Sequence, residues 1–353
     1  MAHYFESGFF LRQKAWHGLG TVVDQAPTTR EALKLAGLDW HVNIAPVYAF
    51  PNQPIEDRKS NDPNLVGMTP AADARAMVRD VHLSNGDLRS DVLGIVGNRY
   101  TPLQNVDAFR WFDPLIADGD CELEAAGSVR GGKNVWVLAK IKTAPVAVGR
   151  RDDDIACAYL LLSNSHDGTR SVSVGFTPIR VVCWNTLSAA IANQTEQTTR
   201  KVRHTSGATQ SLASIRETIN LATRDFTNKA LIWREMASAD IAPRQSRELA
   251  RQVQRYARLV FGKPGDVNKA KKQGTVDDLP EVRAEKHLWR LLHNGPGAES
   301  AGVSPFGLYM AATHFADHLN GHNANTRLAS TWFGTGVSLR ERAESEAMEL
   351  AGI

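Results

Sequence analysis

The chain has 353 residues, an ordinary apolar share of 42% and a net charge of only +3. That length exceeds what one core usually organises, so a large domain plus a smaller one, or two domains, is expected. Cys121, Cys157 and Cys183 are far apart with no C-x-x-C spacing, which argues against a zinc ribbon or disulfide framework and fits a reducing cytoplasm.

No run reaches roughly 18 apolar residues, and the start lacks the basic and apolar segments of a signal peptide. A soluble cytoplasmic protein without a membrane partner is expected. Charge is unevenly placed: from Arg200 to Arg290 there are nineteen basic residues against ten acidic ones, so the rest of the chain is net acidic. A basic half beside an acidic half suits a polyanion partner, or self-association between unlike faces.

In chain order, Trp16-His17-Gly18-Leu19-Gly20-Thr21 comes first, and its G-x-G lacks the preceding strand and third glycine of a dinucleotide fingerprint. A short helix from 29 to 36, capped by Thr28 or Thr29, and an extended run from 40 to 50 follow. Residues 51–71, rich in Pro, Asn and Asp, read as a surface loop. A strand at 93–96 ends at Gly97-Asn98-Arg99-Tyr100, and Thr101-Pro102 opens a helix to about 117. Residues 122–127 and 134–141 form a hairpin whose tip, Arg130-Gly131-Gly132-Lys133, carries two cations. Arg150-Arg151 begin a second charged turn.

The centre of the chain is 155–192. A strand-type run at 156–162 leads into the polar cluster Ser163-Asn164-Ser165-His166-Asp167-Gly168, with Asp-Gly as a hairpin signal. Strands at 172–176 and 178–183 follow. Asn185 or Thr186 caps a short helix at 187–193. From 205 onward the period is helical, with helices at 211–237, 243–261, 281–292, 306–319 and 338–350 and a charged linker at 263–279. The expected fold is α+β: an antiparallel sheet with backing helices over residues 1–205, then a basic, mostly helical region over 206–353.

Arg180-Val181-Val182-Cys183-Trp184-Asn185-Thr186-Leu187, Asn164-Ser165-His166-Asp167-Gly168, the Trp16 motif and Gly97-Asn98-Arg99-Tyr100-Thr101-Pro102-Leu103-Gln104-Asn105 together resemble a phage/plasmid-like family, the domain of unknown function 932. The resemblance implies a setting on bacteriophages, prophages or conjugative plasmids, hence the cytoplasm of a bacterial host. It implies no reaction.

The sharpest chemical pattern lies in the helix beginning at Pro243. At about 100° per residue, Leu249, Val253, Tyr256 and Val260 share one face, while Arg244, Arg247, Arg251, Arg255 and Arg258 fall almost opposite. Aligned guanidiniums match a phosphate backbone through paired hydrogen bonds. The alternative is a solvated face whose acid partners come from elsewhere in the fold.

The expected function is a nucleic-acid-binding accessory protein of a mobile element, binding single-stranded DNA as a homo-oligomer and needing no cofactor. Its cations are Arg99, Arg130, Lys133, Arg150, Arg151 and the five arginines above, with Tyr100 and Trp184 as stacking platforms. Phage single-strand annealing proteins provide an analogy at the level of fold only. The competing readings are a structural phage protein or a hydrolase. The hydrolase would use Cys183 with His166 and Asp167, or a metal on His314 and His318, with His322 one turn further on. Position 315 is Phe, so the general-base Glu of H-E-x-x-H is missing. Cys183 sits in an apolar run, where a buried thiol is the common case. Binding without catalysis and without a metal is therefore favoured.

Overall fold

The structure is a computed structural model that describes residues 5–12, 20–49, 69–82, 85–180, 185–186, 199–207, 218–262, 279–320 and 335–353. The Trp16 motif from 16 to 19, residues 51–68, Cys183, Trp184, the helix expected at 187–193, the linker at 263–278 and His322 lie outside them.

The first part of the chain contains β1 (Phe5–Leu11), β2 (Thr21–Val23), α1 (Thr29–Leu35), β3 (Asn43–Ala49), β4 (Thr69–His82) and β5 (Leu88–Gly97). Thr28 caps α1 as the sequence indicates, accepting from the Glu31 amide while the Glu31 carboxylate accepts from the Thr28 amide. Next come α2 (Asn105–Arg110), α3 (Asp113–Ala117), β6 (Cys121–Val129), β7 (Asn134–Ile141), β8 (Val146–Ala147), β9 (Ile155–Ser165), β10 (Val172–Arg180), β11 (Asn185–Thr186) and β12 (Thr199–Val202). The helical part holds α4 (Thr218–Ser238), α5 (Arg247–Phe261), α6 (Pro280–Asn294), α7 (Ala298–Ala301), α8 (Pro305–His314) and α9 (Thr335–Ala351). The last turn of the α8 segment, Phe315–Leu319, widens to π geometry.

The fold is α+β with antiparallel pairing throughout except between β1 and β2. The main sheet runs β11-β10-β9-β7-β6-β1-β2, with β12 also on β10 and β8 on β9. Its central strands are apolar on both faces. Val135, Val137 and Ala139 of β7 and Ala158, Leu160 and Leu162 of β9 face one core, and Trp136, Leu138, Cys157 and Tyr159 face another. That is why these strands read as continuous apolar runs instead of alternating ones. The larger core takes in the sheet row, Leu33, Phe109 and Phe112 of the early helices, and the buried faces of α4, α5, α6, α8 and α9. Sheet and helical region therefore share one apolar interior.

Polar pins fix the helices over this sheet. The Arg150 amide donates to Ser300 O (2.9 Å), its Nε to Ala237 O (2.6 Å), and its guanidinium pairs with Asp240 (2.5 Å). Arg234 of α4 meets Asp152 at 2.9 Å. Within the helical layer, α9 is held by Trp233 Nε1 donating to Glu344 (2.8 Å), by Lys229 on the same carboxylate (3.0 Å) and by the buried pair Arg340–Asp317 (2.5 Å). Such buried charges are tolerated only when paired, so they set the position of α9 rather than add much stability.

Several local expectations are corrected. The helix expected from Thr101 to 117 is two short helices, and Pro102 precedes both. The Gln104 side chain exchanges two hydrogen bonds with the Val42 backbone (2.9 and 3.0 Å), which holds 101–104 as an extended connection. Ser163, Asn164 and Ser165 belong to β9 and not to the turn. Ser163 meets Ser173 across the hairpin at 2.7 Å, and Asn164 Nδ2 donates to Leu103 O at 3.0 Å. The runs at 172–176 and 178–183 are, through Arg180, one strand. Pro178 falls between the stretch of β10 paired to β12 and the stretch paired to β11, so its missing N–H interrupts neither ladder on that side. Asn185 and Thr186 form a bridge to β10.

A second sheet, β3-β4-β5, was legible only as the two short pieces at 40–50 and 93–96. Its inner face, with Met77, Leu93 and Val96, packs with Val42, Trp40 and Tyr100 against the β9–β10 turn. The approach is close at Gly94, where an added Cβ would lie 2.5 Å from Asp167 Cα. Gly97, three residues along the same strand, has open space. Gly94→Ala should therefore cost roughly 1–3 kcal/mol by forcing the two sheets apart, while Gly97→Ala should stay within about 0.5 kcal/mol. Urea denaturation of both variants checks this, and equal midpoints would contradict the packing.

Candidate nucleic-acid interface

Helix α5 begins at the Ser246 cap, whose Oγ accepts from the Leu249 amide (3.0 Å), and ends where Gly262 N–H bonds Arg258 O. Its apolar face, Leu249, Val253, Tyr256, Ala257 and Val260, is buried in the shared core. Arg247, Arg251, Arg255 and Arg258 are all exposed on the other side. Among the described residues none of these four forms an ion pair. Arg255 lies at a cleft that it lines with Glu346 and Glu349 of α9, so it is the least independent of the row. Arg244 precedes the helix rather than sitting on it, and its Nη2 donates to His293 O (3.2 Å). The helical row is thus four arginines long.

Helix α6 lies beside α5 and runs antiparallel to it. Gln254 meets Glu285 at 3.4 Å, whereas Arg244, ten residues earlier, meets the His293 carbonyl, eight residues later. Both helices bury their apolar faces in one core, α6 through Ala284, Leu288, Leu291 and Leu292. Glu285 marks the side of α6 turned toward α5. The exposed residues Arg283, Lys286 and Arg290 form a separate row, with Arg283 and Arg290 about 140–160° around the helix from Glu285 and so turned away from α5. In the sequence this row is carried by its i, i+3, i+7 spacing alone.

The remaining cations separate into two groups. Arg130 and Lys133 lie at the β6–β7 tip, where Arg130, Gly131 and Gly132 all have positive φ (57°, 66° and 79°). Arg99 and Tyr100 are at the same end, since Tyr100 Oη donates to Ser165 O (2.6 Å) and the His166 amide donates to Lys133 O (2.7 Å). Arg150 and Arg151 are at the far end of β9, a strand of 11 residues and so about 35 Å long. Arg150 is engaged with Asp240 and Ala237, and Arg151 with Asp153 (2.6 Å). Tyr100 is stacked on His204 with ring centroids 4.5 Å apart, so its ring is already packed, and burial raises its hydroxyl pKa.

The described residues of the hydrolase reading are His166, Asp167, His314 and His318. His166 is fully buried, with Nε2 3.0 Å from Asn105 Oδ1 and its ring edge-on to Trp40. Burial is the main cause that lowers its pKa to about 3. Cys121 and Cys157 are buried free thiols, and burial pushes Cys121 up to about 12. His314 and His318 stack with centroids 4.3 Å apart, and burial followed by His318 lowers His314 to about 4. No group of three His, Cys, Asp or Glu suited to a metal occurs among the described residues. No helix among them is long and apolar enough to cross a membrane.

The two central motifs of the sequence meet in this buried region. Asn164 bonds Leu103 O, His166 bonds Asn105, Asn105 Nδ2 donates to Leu38 O (3.1 Å), and Tyr100 bonds Ser165 O. They form a joint between strands and helices.

A family described as a domain of unknown function (DUF932) matches residues 92–343, about seven tenths of the chain. No curated protein and no solved structure matches it.

The His166 geometry has a pH consequence. Unfolded, the imidazole takes up a proton near its ordinary value of about 6.5. Folded, it resists until about 3. Its contribution is therefore fully present above pH 6.5 and is lost as pH falls from 6.5 toward 3, by about 2 kcal/mol at pH 5. His166→Gln keeps a polar partner for Asn105 but does not titrate. Denaturant melts at pH 7 and pH 5 should show the wild type losing more stability than the variant. Equal losses would contradict the burial of a neutral imidazole.

Proposed function

The chain belongs to the family of the domain of unknown function 932, and we propose that it is a nucleic-acid-binding accessory protein of a phage or plasmid. Its partner is single-stranded DNA, held by the phosphate backbone in the manner of recombination and annealing proteins, and its place is the cytoplasm of a bacterial host. The observation that carries this reading is the α5 row: Arg247, Arg251, Arg255 and Arg258, exposed on one face and without an ion pair among the described residues. Aligned unneutralised guanidiniums repel one another, and a polyanion relieves that repulsion while releasing its own counterions. A solvated face with acid partners, the alternative raised by the sequence, lacks such partners among the described residues for Arg247, Arg251 and Arg258.

Self-association belongs to the same proposal. Of the nine large hydrophobic side chains exposed among the described residues, five (Ile44, Tyr48, Leu88, Val92 and Ile95) are on the small sheet, with Val92 57% and Ile95 61% exposed. Concentrated exposure of this kind favours the small sheet as the contact between subunits.

Replacing Arg247, Arg251 and Arg258 with Gln changes helix propensity little and removes three cations. The slope of log affinity for oligo-dT against log salt should fall by roughly 2, at about 0.7 per phosphate contact. The loss should be similar across sequences, because backbone contacts carry little base information. Filter binding over a salt series beside a thermal melt checks this. An unchanged slope with a lowered melting temperature would contradict the DNA role of the helix.

A further inference from the structure

We infer that unpaired nucleobases of the bound strand stack on the ring pair Trp289–His293 of α6, which lines the seam with α5 beside Arg247. This rests on the nucleic-acid reading above and adds to its phosphate contacts a site for the bases.

The position follows from the contacts between the two helices. Gln254 meets Glu285 (3.4 Å) and Arg244 Nη2 donates to His293 O (3.2 Å), so α6 runs antiparallel to α5 and turns its Glu285 side toward it. At about 100° per residue, Trp289 and His293 lie only about 40° and 80° around the helix from Glu285, each one turn further along. Both are therefore on the side that faces α5, rotated from Glu285 away from the core and toward solvent. On α5, Arg247 lies about 20° from Gln254 by the same count and looks onto the same seam. Because the helices are antiparallel, its level falls between those of Trp289 and His293.

The two rings are already ordered against each other. Their centroids are 4.7 Å apart, and His293 Nδ1 donates to Trp289 O (2.8 Å), which fixes the imidazole along the helix. Both residues are half-buried: Trp289 is seated against the core, yet part of the pair stays at the surface. The other described tryptophans are committed elsewhere. Trp111, Trp136 and Trp233 are buried, and Trp40 is taken by Arg79 and His166 with its N–H on Gly37 O. Trp289 Nε1 has no hydrogen-bond partner among the described residues, whereas an indole N–H enclosed by a fold usually finds one. An aromatic surface next to exposed cations is the combination that holds single strands: the cations follow the phosphates, and the ring accepts any base because every base has a π-face.

The test compares oligo-dT with an abasic oligomer of equal length, which keeps the phosphates and removes the bases. Fluorescence anisotropy measures binding of both to the full chain, to Trp289→Ala, Trp289→Phe and His293→Leu, with a urea melt of each. The wild type should prefer oligo-dT. Trp289→Ala should weaken oligo-dT binding roughly tenfold and leave abasic binding and the salt slope unchanged, while Trp289→Phe, which keeps a ring, retains most of the preference. If Trp289→Ala does not fold, His293→Leu decides, since it keeps bulk without a π-face and should narrow the preference. Equal losses for the two oligomers, or a preference that no variant alters, would overturn the stacking site and leave the nucleic-acid reading standing. Failure of the wild type to bind either oligomer would remove that reading itself.

Discussion

One shared apolar core determines how the rest of this protein is arranged. The face of the main sheet formed by Val135, Val137, Ala139, Leu160, Leu162, Val174 and Phe176 is too large and too apolar to stand in water, and the helical region covers it. Each covering helix must turn its apolar stripe inward, which forces its charged residues outward. Rings such as Phe176, Phe226 and Trp233 make the contact (centroids 5.5 and 6.5 Å apart), and the Arg150 turn locks its edge. The basic face of α5 and α6 is thus a consequence of core packing: with Leu249, Val253, Leu288 and Leu292 committed to the interior, the arginines have no other side to occupy.

The residues that carry the family resemblance do a different job. Asn164, His166, Asn105 and Tyr100 are tied to backbone carbonyls and to one another at the end of the main sheet, beneath the small sheet. Arg79 stacks over Trp40 and pairs with Glu6 and Asp91, closing the same joint from the other side. In a low-dielectric interior such a network specifies one arrangement, because losing any partner leaves a buried polar group unpaired. These motif residues therefore define how two sheets meet, and the exposed arginine row lies on a helix with no motif at all.

How much of this could be read from the chain depended on whether a local signal was also the deciding one. The β6–β7 hairpin, the Thr28 capping box and the α5 amphipathic pattern were legible because turn chemistry or periodicity decided them. Pro102 misled because a tertiary contact, Gln104 with Val42, overrode a good helix-opening signal. Ser163 and Asn164 looked like turn residues because a sequence does not show that a polar side chain will find a partner across a sheet. The β4–β5 hairpin had an available signal in Asn85-Gly86, with Gly86 at φ 87°, masked by the loop-like composition before it. The α6 row was visible as spacing, but that Arg283 and Arg290 turn away from α5 is shown only by the Gln254–Glu285 contact.

The central claim is that the exposed arginine row of α5 meets a polynucleotide. Arginine footprinting with phenylglyoxal, read residue by residue by mass spectrometry with and without saturating oligo-dT, addresses it most directly. Arg247, Arg251 and Arg258 should lose reactivity on binding, while Arg89, paired with Asp91 on the small sheet (2.7 Å), should not change. Failure of the chain to bind oligo-dT, or binding that leaves those three arginines as reactive as before, would contradict it.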